Sequence, residues 1–288
     1  MIGLSNDVVK LCDHDPAWDS QAADMIARLR HVLGPVAVDI QHVGSTAIKT
    51  IKAKPIIDIM VSVADLQAFM PCLEPIARLG YVYKPDVIDD ELFLYRDDPA
   101  GRGRLSHLHV VVHGRQRWHT YVTFRDFLRA HPDQAARYQQ VKLDLAARYP
   151  ADRPAYTAGK AAVIHDIMRR ALPWYYLGRT VRVAIDRPVG HVHRKDDRTL
   201  TYPINYGYIP GVLGGDGEEL DVYVLGTAKP LAAATVRIAA KVLRADDVED
   251  KLVGLLEGSD ASPEAMAAAI AFQEKYYDSR IVTDKEMF

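Results

Sequence analysis

Residues Tyr202–Asp221, reading YPINYGYIPGVLGGDGEELD, restrict this chain more than any other stretch. A rigid aromatic segment runs into a glycine-rich turn and then into closely spaced carboxylates: Asp216, Glu218 and Asp221, with Glu219 beside them. On a strand, residues two apart share a face, so this pattern crowds negative charge unless a cation sits among the acids. Magnesium takes oxygen ligands and binds through carboxylates plus substrate phosphate. It is the expected cofactor, and the segment points to an enzyme of phosphate chemistry. Gly214, Gly215 and Gly217 permit the tight turn that gathers the acids.

Composition sets the frame for that site. A chain of 288 residues fits two domains, and 49% hydrophobic with 26% charged residues is ordinary for globular protein. A net charge of −2 gives no reason to expect nucleic acid as a partner. Cys12 and Cys72 form no metal-type pair and read as idle or buried thiols of a reducing compartment. The start, MIGLSNDVVK, lacks the basic and apolar regions of a signal peptide, and no apolar run is long enough to span a bilayer. A cytoplasmic protein without membrane contact is expected.

The periodicity divides the chain. Trp18–Leu33 places Ala22, Ile26, Leu29, Val32 and Leu33 at helical spacing and stops at Gly34–Pro35. Val36–His42 alternates as a strand, and Pro55–Val63 is a nearly continuous apolar run suited to a buried strand, with one acid, Asp58. Leu66–Leu79 reads as a helix, Glu91–Tyr95 and Leu105–Val112 as strands, and Thr123–Arg170 as helical, stopped by Pro173. Beyond it, Val181–Asp186, Tyr202–Tyr208, Asp221–Leu225 and Val236–Leu243 read as strands separated by glycine and proline turns. Ser262-Pro263-Glu264 then opens a helix in the manner of an N-cap with proline in the first turn. The expected domains are 1–173 and 174–288.

Four blocks in order give the second half a family resemblance. They are Tyr202–Tyr208, then Asp216–Val222, then Asp246–Val253 (DDVEDKLV), and more weakly Phe272–Asp278. Alone, each block also reads as an acidic turn, a solvated loop or an aromatic core. Together, residues from about 178 to 288 resemble the soluble inorganic pyrophosphatases. The resemblance implies a small closed β-barrel with flanking helices that hydrolyses inorganic diphosphate with magnesium. It implies metal ligands at Asp216, Glu218, Asp221, Asp246 and Glu249, with Asp221, Asp216 and Tyr206 in catalysis. Phosphate oxygens would meet Lys251, Tyr206 and Tyr276, and His191, His193, Arg194 and Lys195, with Arg194 and Lys195 preferred, would stand in for the basic residues of larger members. The chain departs from the family pattern at Glu218 and Glu219, where an aspartate and a proline are usual, and at Tyr277, where a lysine is expected. Diphosphate is a compact tetra-anion, and a metal pair about 3.5–4 Å apart can clamp its oxygens and lower the pKa of a bound water.

The first half carries a second set of blocks: His42-Val43-Gly44-Ser45-Thr46, Ala53–Ile59, His107-Leu108-His109-Val110 and Phe124–Arg129, then Tyr138, Lys142, Tyr156 and Lys160. Residues from about 7 to 170 resemble the GrpB-like family, a branch of the nucleotidyltransferase superfamily. The resemblance implies a mixed sheet with helices, so the whole chain is expected to be α+β. In the superfamily a Gly-Ser turn cradles a triphosphate through exposed backbone N–H groups, and paired acids hold magnesium. Gly44, Ser45 and Asp58 are present, and Met60 stands where the second acid would be. His107 and His109 share a strand face and, with His42, offer either a transition-metal site or hydrogen bonds within the cleft. Lys54 and Arg125 read as phosphate-binding cations or as solvated helix-face charges.

Three activities fit the two halves. One is a magnesium-dependent diphosphatase with an accessory first domain. The second is a nucleotidyltransferase whose diphosphate product the second domain clears, with a nucleoside triphosphate and an unassigned acceptor as partners. The third is a nucleotide or diphosphate binding protein with degenerate sites, which Met60 and Tyr277 favour. A homo-oligomer is compatible with each.

Overall fold

A computed structural model describes residues 2–5, 8–88, 90–195, 198–247 and 249–283. The chain divides into two compact units, Met1–Ile167 and Met168–Phe288.

The first unit is a five-stranded sheet with helices. Its strands are β1 (Ala37–Val43), β2 (Ile57–Val63), β3 (Val82–Ile88), β4 (Glu91–Asp97) and β5 (Arg104–Val112), in the order β1-β2-β5-β4-β3. Only the β2–β5 pair is parallel. The apolar run of β2 divides between two faces because side chains alternate. Ile57, Ile59, Val61 and Val63 enter the core with Leu108, Val110 and Leu94. Helix α1 (Ala17–Leu33) covers this face with Trp18, Ala22, Met25, Leu29 and Leu33, the stripe that a period of 3.6 produces. Asp58, Met60, His107, His109, Glu91 and Phe93 alternate with those core residues and so share the opposite face. Both faces of β2 are buried, which is why the run looks continuous rather than alternating.

The expected helix Leu66–Leu79 is broken into α2 (Leu66–Phe69), a 3₁₀ turn (Met70–Cys72) and α3 (Leu73–Ala77). Pro71 lies in that 3₁₀ turn and has no N–H for the helical ladder. The helical tract beyond is four helices: α4 (Gln116–Ala130), α5 (Pro132–Arg148), α6 (Arg153–Gly159) and α7 (Ala161–Tyr176). Pro173 does not stop the last of them. It lies inside α7, which runs on to Tyr176 with Leu172, Tyr175 and Tyr176 buried. The division between units also falls within α7, upstream of the proline.

The second unit is a closed five-stranded barrel. Strands β6 (Thr180–Arg187), β9 (Asn205–Leu213), β10 (Glu219–Leu225), β12 (Lys251–Leu256) and β11 (Ala233–Arg244) pair around in that order, and the β11–β12 pairing closes the ring. The long strand β11 bonds β6 through its first half and β13 (Ser279–Val282) through its second. A hairpin of β7 (Val192–Lys195) and β8 (Arg198–Thr201) precedes the aromatic segment. Helix α8 (Pro263–Glu274) is capped by the Ser262 hydroxyl on the Ala265 N–H and lays Met266 and Ile270 against Tyr202, Tyr206 and Tyr223. Among the described residues no helix is long and apolar enough to cross a membrane.

The aromatic segment is only partly strand. Pairing begins at Asn205, after Pro203 has removed an N–H from the ladder. Asn205 is fully buried and ties two loops to the barrel: its Oδ1 accepts from Val189 N (3.2 Å) and Leu231 N (3.0 Å), and its Nδ2 donates to the Lys229 carbonyl (3.0 Å). Gly207 sits on β9 directly against the backbone of β6. A Cβ there would lie 1.8 Å from the Ala184 carbonyl oxygen, which is backbone and cannot swing aside. Gly207→Ala is therefore expected to destabilise the second unit by about 3 kcal/mol, the upper range for overpacking. Amide hydrogen exchange along β6 and β9, compared with wild type, measures it.

Candidate functional site

The acidic motif of the second unit is built by a turn and a strand. Asp216 and Glu218 lie in the turn before β10, so the shared-face rule for strand residues does not govern that pair. Asp216 Oδ1 instead accepts the Glu218 N–H (3.0 Å), and the Gly214 N–H closes the turn on the Glu218 carbonyl (2.6 Å). Glu219, on the strand, spends its carboxylate on the Gly211 N–H of β9 (2.7 Å). Asp221 follows, across a register shift in the β9–β10 ladder.

These acids open onto a cavity of about 880 Å³ that also receives Arg187, His193, Tyr202, Tyr206, Arg244, Asp247, Glu249, Lys251, Tyr276 and Tyr277. At its floor Lys251 Nζ contacts Asp221, donates to Tyr206 Oη (2.6 Å) and meets Glu249 Oε2 (2.8 Å). The Tyr206 hydroxyl donates to Asp221. Burial works hardest against the Asp221 charge, but the Lys251 ammonium and the hydrogen bonds from Glu249, Lys251 and Tyr206 together outweigh it and hold the carboxyl below its ordinary range. Burial, with the Asp221 carboxylate beside it, pushes Glu249 up to about 7. Burial and the same aspartate raise Tyr206 far above the usual phenol value. Among the described residues no ion pair reaches Asp216 or Glu218. An all-oxygen donor set of this kind, open to a cavity, suits a hard cation such as magnesium.

The other expected residues are distributed unevenly. Within the Asp246–Asp250 cluster, Asp247 and Glu249 line the cavity. Asp246 accepts the Asp278 N–H (3.0 Å) outside it, and Asp250 is buried against Lys241 Nζ (2.9 Å). On β7, His193 lines the cavity and Arg194 is exposed, as alternation along a strand requires. The Lys195 side chain lies outside those described. Two cations escaped sequence reading. Arg187 ends β6, donates from Nη1 to Tyr202 Oη (2.8 Å) and stands 5.0 Å from the Tyr206 ring centre. Arg244 ends β11, with its guanidinium 3.7 Å from the Tyr277 ring centre and Nη1 donating to Asp247 Oδ2 (3.0 Å). Neither belongs to a local motif; barrel closure brings both to the cavity.

In the first unit, Gly44 (φ 68°) lets the Gly-Ser turn touch Asp58, whose Oδ2 would lie 2.3 Å from any Cβ at that position. His42 Nε2 is bonded to Thr46 Oγ1 (2.9 Å), and burial keeps the ring neutral, with its pKa down to about 4. Arg125 donates to the His42 carbonyl (3.0 Å), to Gln41 (2.6 Å) and to Asp126 (2.8 Å), so its guanidinium braces β1 and α4. The cation nearest Ser45 is Lys142, fully buried, with Nζ 3.3 Å from Ser45 Oγ and 2.5 Å from the Lys52 carbonyl. Lys54 and Lys160 flank the Tyr156 ring at 5.3 and 4.9 Å. None of these three lysines has a carboxylate partner among the described residues. Burial, reinforced by Lys160 and Lys54, lowers Lys142 to about 7, and burial with the same kind of repulsion lowers Lys54 to about 8.

That arrangement has a pH signature. An unfolded lysine keeps its proton to about pH 10.4, whereas Lys142 in the fold releases it near 7. Between those values the unfolded chain binds more protons, so stability rises with pH. Between pH 7 and 9 one such group contributes on the order of 2 kcal/mol. Denaturant unfolding of the first unit should show this gain in wild type and a flatter profile in Lys142→Met.

A sheet-and-helix unit with a Gly-Ser turn against an aspartate, and a closed barrel whose carboxylates and cations share one cavity, define a two-module α+β protein. The GrpB protein family model matches residues 8–170, and this chain belongs to that family. Its second unit carries an inorganic pyrophosphatase domain, matched over residues 178–261. The glutamate-rich protein GrpB of Alkalihalophilus pseudofirmus is 34% identical over 173 residues, covering 58% of this chain and 98% of that one. A UPF0157 protein of Pseudomonas aeruginosa is 37% identical over 169 residues, covering 58% of this chain and 69% of its own. The crystal structure of the conserved protein GrpB from Enterococcus faecalis superposes with a TM-score of 0.54 at 28% identity, over 58% of this chain and 99% of that one.

Proposed function

We propose that the second unit hydrolyses inorganic diphosphate to phosphate with magnesium. The observation that carries this reading is the one cavity in which Asp216, Glu218, Asp221 and Glu249 face Lys251, Tyr206 and Arg187. The carboxylates hold the metal, and magnesium when bound supplies Lewis acidity and a water of lowered pKa. Lys251 and Tyr206 meet the phosphate oxygens at the floor, and Tyr276 does so at the rim. Arg187 takes the work assigned in the sequence to Arg194 and Lys195, since it reaches the cavity from the adjoining strand. Tyr277, in place of a lysine, lies against the Arg244 guanidinium, whose charge is shared with Glu274 and Asp247. Phosphate release from diphosphate by the full chain, with magnesium and then with a chelator, tests the reading. A folded protein that releases no phosphate under either condition would sink it.

A second reading is favoured by the Lys142 contact with Ser45 and the glycine turn against Asp58. In it the first unit binds a nucleoside triphosphate and transfers the nucleotidyl group, and the second unit clears the diphosphate released. Labelled nucleotide should then appear on an acceptor and be lost in Ser45→Ala. No labelling across candidate acceptors leaves the diphosphatase acting alone.

A further inference from the structure

We propose that Asp58, His107 and His109 form a transition-metal centre of the zinc class, separate in chemistry from the magnesium site of the barrel. Each residue offers one ligand atom, and these atoms lie within 4.8 Å of one another; among the described residues no other three His, Cys, Asp or Glu do so. The backbone explains the convergence. Strands β2 and β5 run parallel with Asp58 opposite His107 and Met60 opposite His109, and the two histidines, two residues apart, point to one face.

The spacing suits a metal. Bonds of about 2.0–2.2 Å in a tetrahedron separate ligand atoms by about 3.3–3.6 Å. Asp58 Oδ1 is 3.7 Å from His109 Nε2 and 2.8 Å from His107 Nδ1. A rotation of the Asp58 carboxylate or the His107 ring that opens the shorter contact by less than 1 Å admits the ion.

A second, independent feature is the support behind His109. Its Nδ1 lies 2.5 Å from Oε1 of Glu91, whose side chain is fully buried, and the Tyr121 hydroxyl donates to the same carboxylate at 3.0 Å. This fixes the ring so that Nε2 faces Asp58. A carboxylate behind a ligating imidazole is the usual device for orienting a metal-binding histidine and raising its basicity. Phe93 walls the site, with ring centres 5.2 and 5.5 Å from His107 and His109.

The donor set selects the metal. Met60 supplies no oxygen where a second acid would sit, and imidazole nitrogens suit zinc, iron or nickel rather than magnesium. Three protein ligands leave the fourth position to water or an anionic ligand, which is the pattern of a reactive centre and not of a closed structural one.

Zinc titrated into chelator-stripped full chain provides the test. One tightly held equivalent is expected, not displaced by excess magnesium and retained in Asp221→Asn, which alters only the barrel. His107→Ala/His109→Ala, shown to be folded by circular dichroism, should lose it. Glu91→Gln should weaken it about 10–100-fold while keeping the same coordination, because Glu91 positions rather than binds. X-ray absorption of zinc-loaded wild type should show two imidazoles at about 2.0–2.1 Å. Absence of a tight equivalent overturns the proposal, as does absorption lacking imidazole scattering. Zinc that the double histidine variant retains unchanged also overturns it.

Discussion

Asp221→Asn should reduce magnesium-dependent phosphate release about 10²–10³-fold, the scale of losing one charge-stabilising group aimed at the reacting centre. The substitution keeps the size of the side chain and an oxygen for the Tyr206 hydroxyl, but removes the charge that Lys251 and a metal need. Lys251 retains Glu249 at 2.8 Å, so the barrel should stay folded and the loss should appear in the rate. Glu249→Gln should lose activity on the same scale. Asp246→Asn is the discriminating control: its carboxylate bonds the Asp278 N–H outside the cavity, and the rate should barely move. An equal loss in all three variants would refute this division of labour, and an active Asp221→Asn would remove the aspartate from the mechanism.

The contrast between Asp246 and Glu249 marks how far the sequence could be read. Both lie in one acidic run, and no local pattern separates them; the direction each side chain takes is set when β11 and β12 pair. Blocks that carry their own geometry were legible: the aromatic segment, the glycine turn before Asp221, the Ser262 cap, and the Gly-Ser turn beside Asp58. The α+β class was implied by the two family resemblances. Arg187 and Arg244 were not legible, because each is an isolated basic residue at a strand end whose position depends on ring closure. The alternation of β7 would have chosen His193 over Arg194, once that short strand was recognised. Glu91 and Tyr121 became partners of His109 only through the β4–β5 pairing and the path of α4. The break after Leu66–Phe69 was signalled by Pro71, whereas Pro173 carried the same signal and was absorbed within α7.

Arg244→Met is expected to cost the second unit about 3–5 kcal/mol, as breaking a buried ion pair does. The Arg244 side chain is 1% exposed and grips Glu274 with two nitrogens, Nε to Oε2 at 3.0 Å and Nη2 to Oε1 at 2.5 Å. Glu274 is the last residue of α8, so this pair fastens the helix to the barrel, and the Tyr223 hydroxyl completes it on the same carboxylate. Methionine fills much of the volume but leaves Glu274 charged, buried and short of a partner. Changing both residues, Arg244→Met with Glu274→Leu, should recover part of the loss, since apolar replacement of a whole buried pair is often neutral. The remainder, about 1–3 kcal/mol, belongs to the stranded Tyr223 hydroxyl. Denaturant unfolding followed by hydrogen exchange along β11 and α8 separates these contributions. An Arg244→Met variant within about 0.5 kcal/mol of wild type, the range of ordinary surface changes, would mean that the guanidinium serves the cavity alone and that α8 is held by its apolar face.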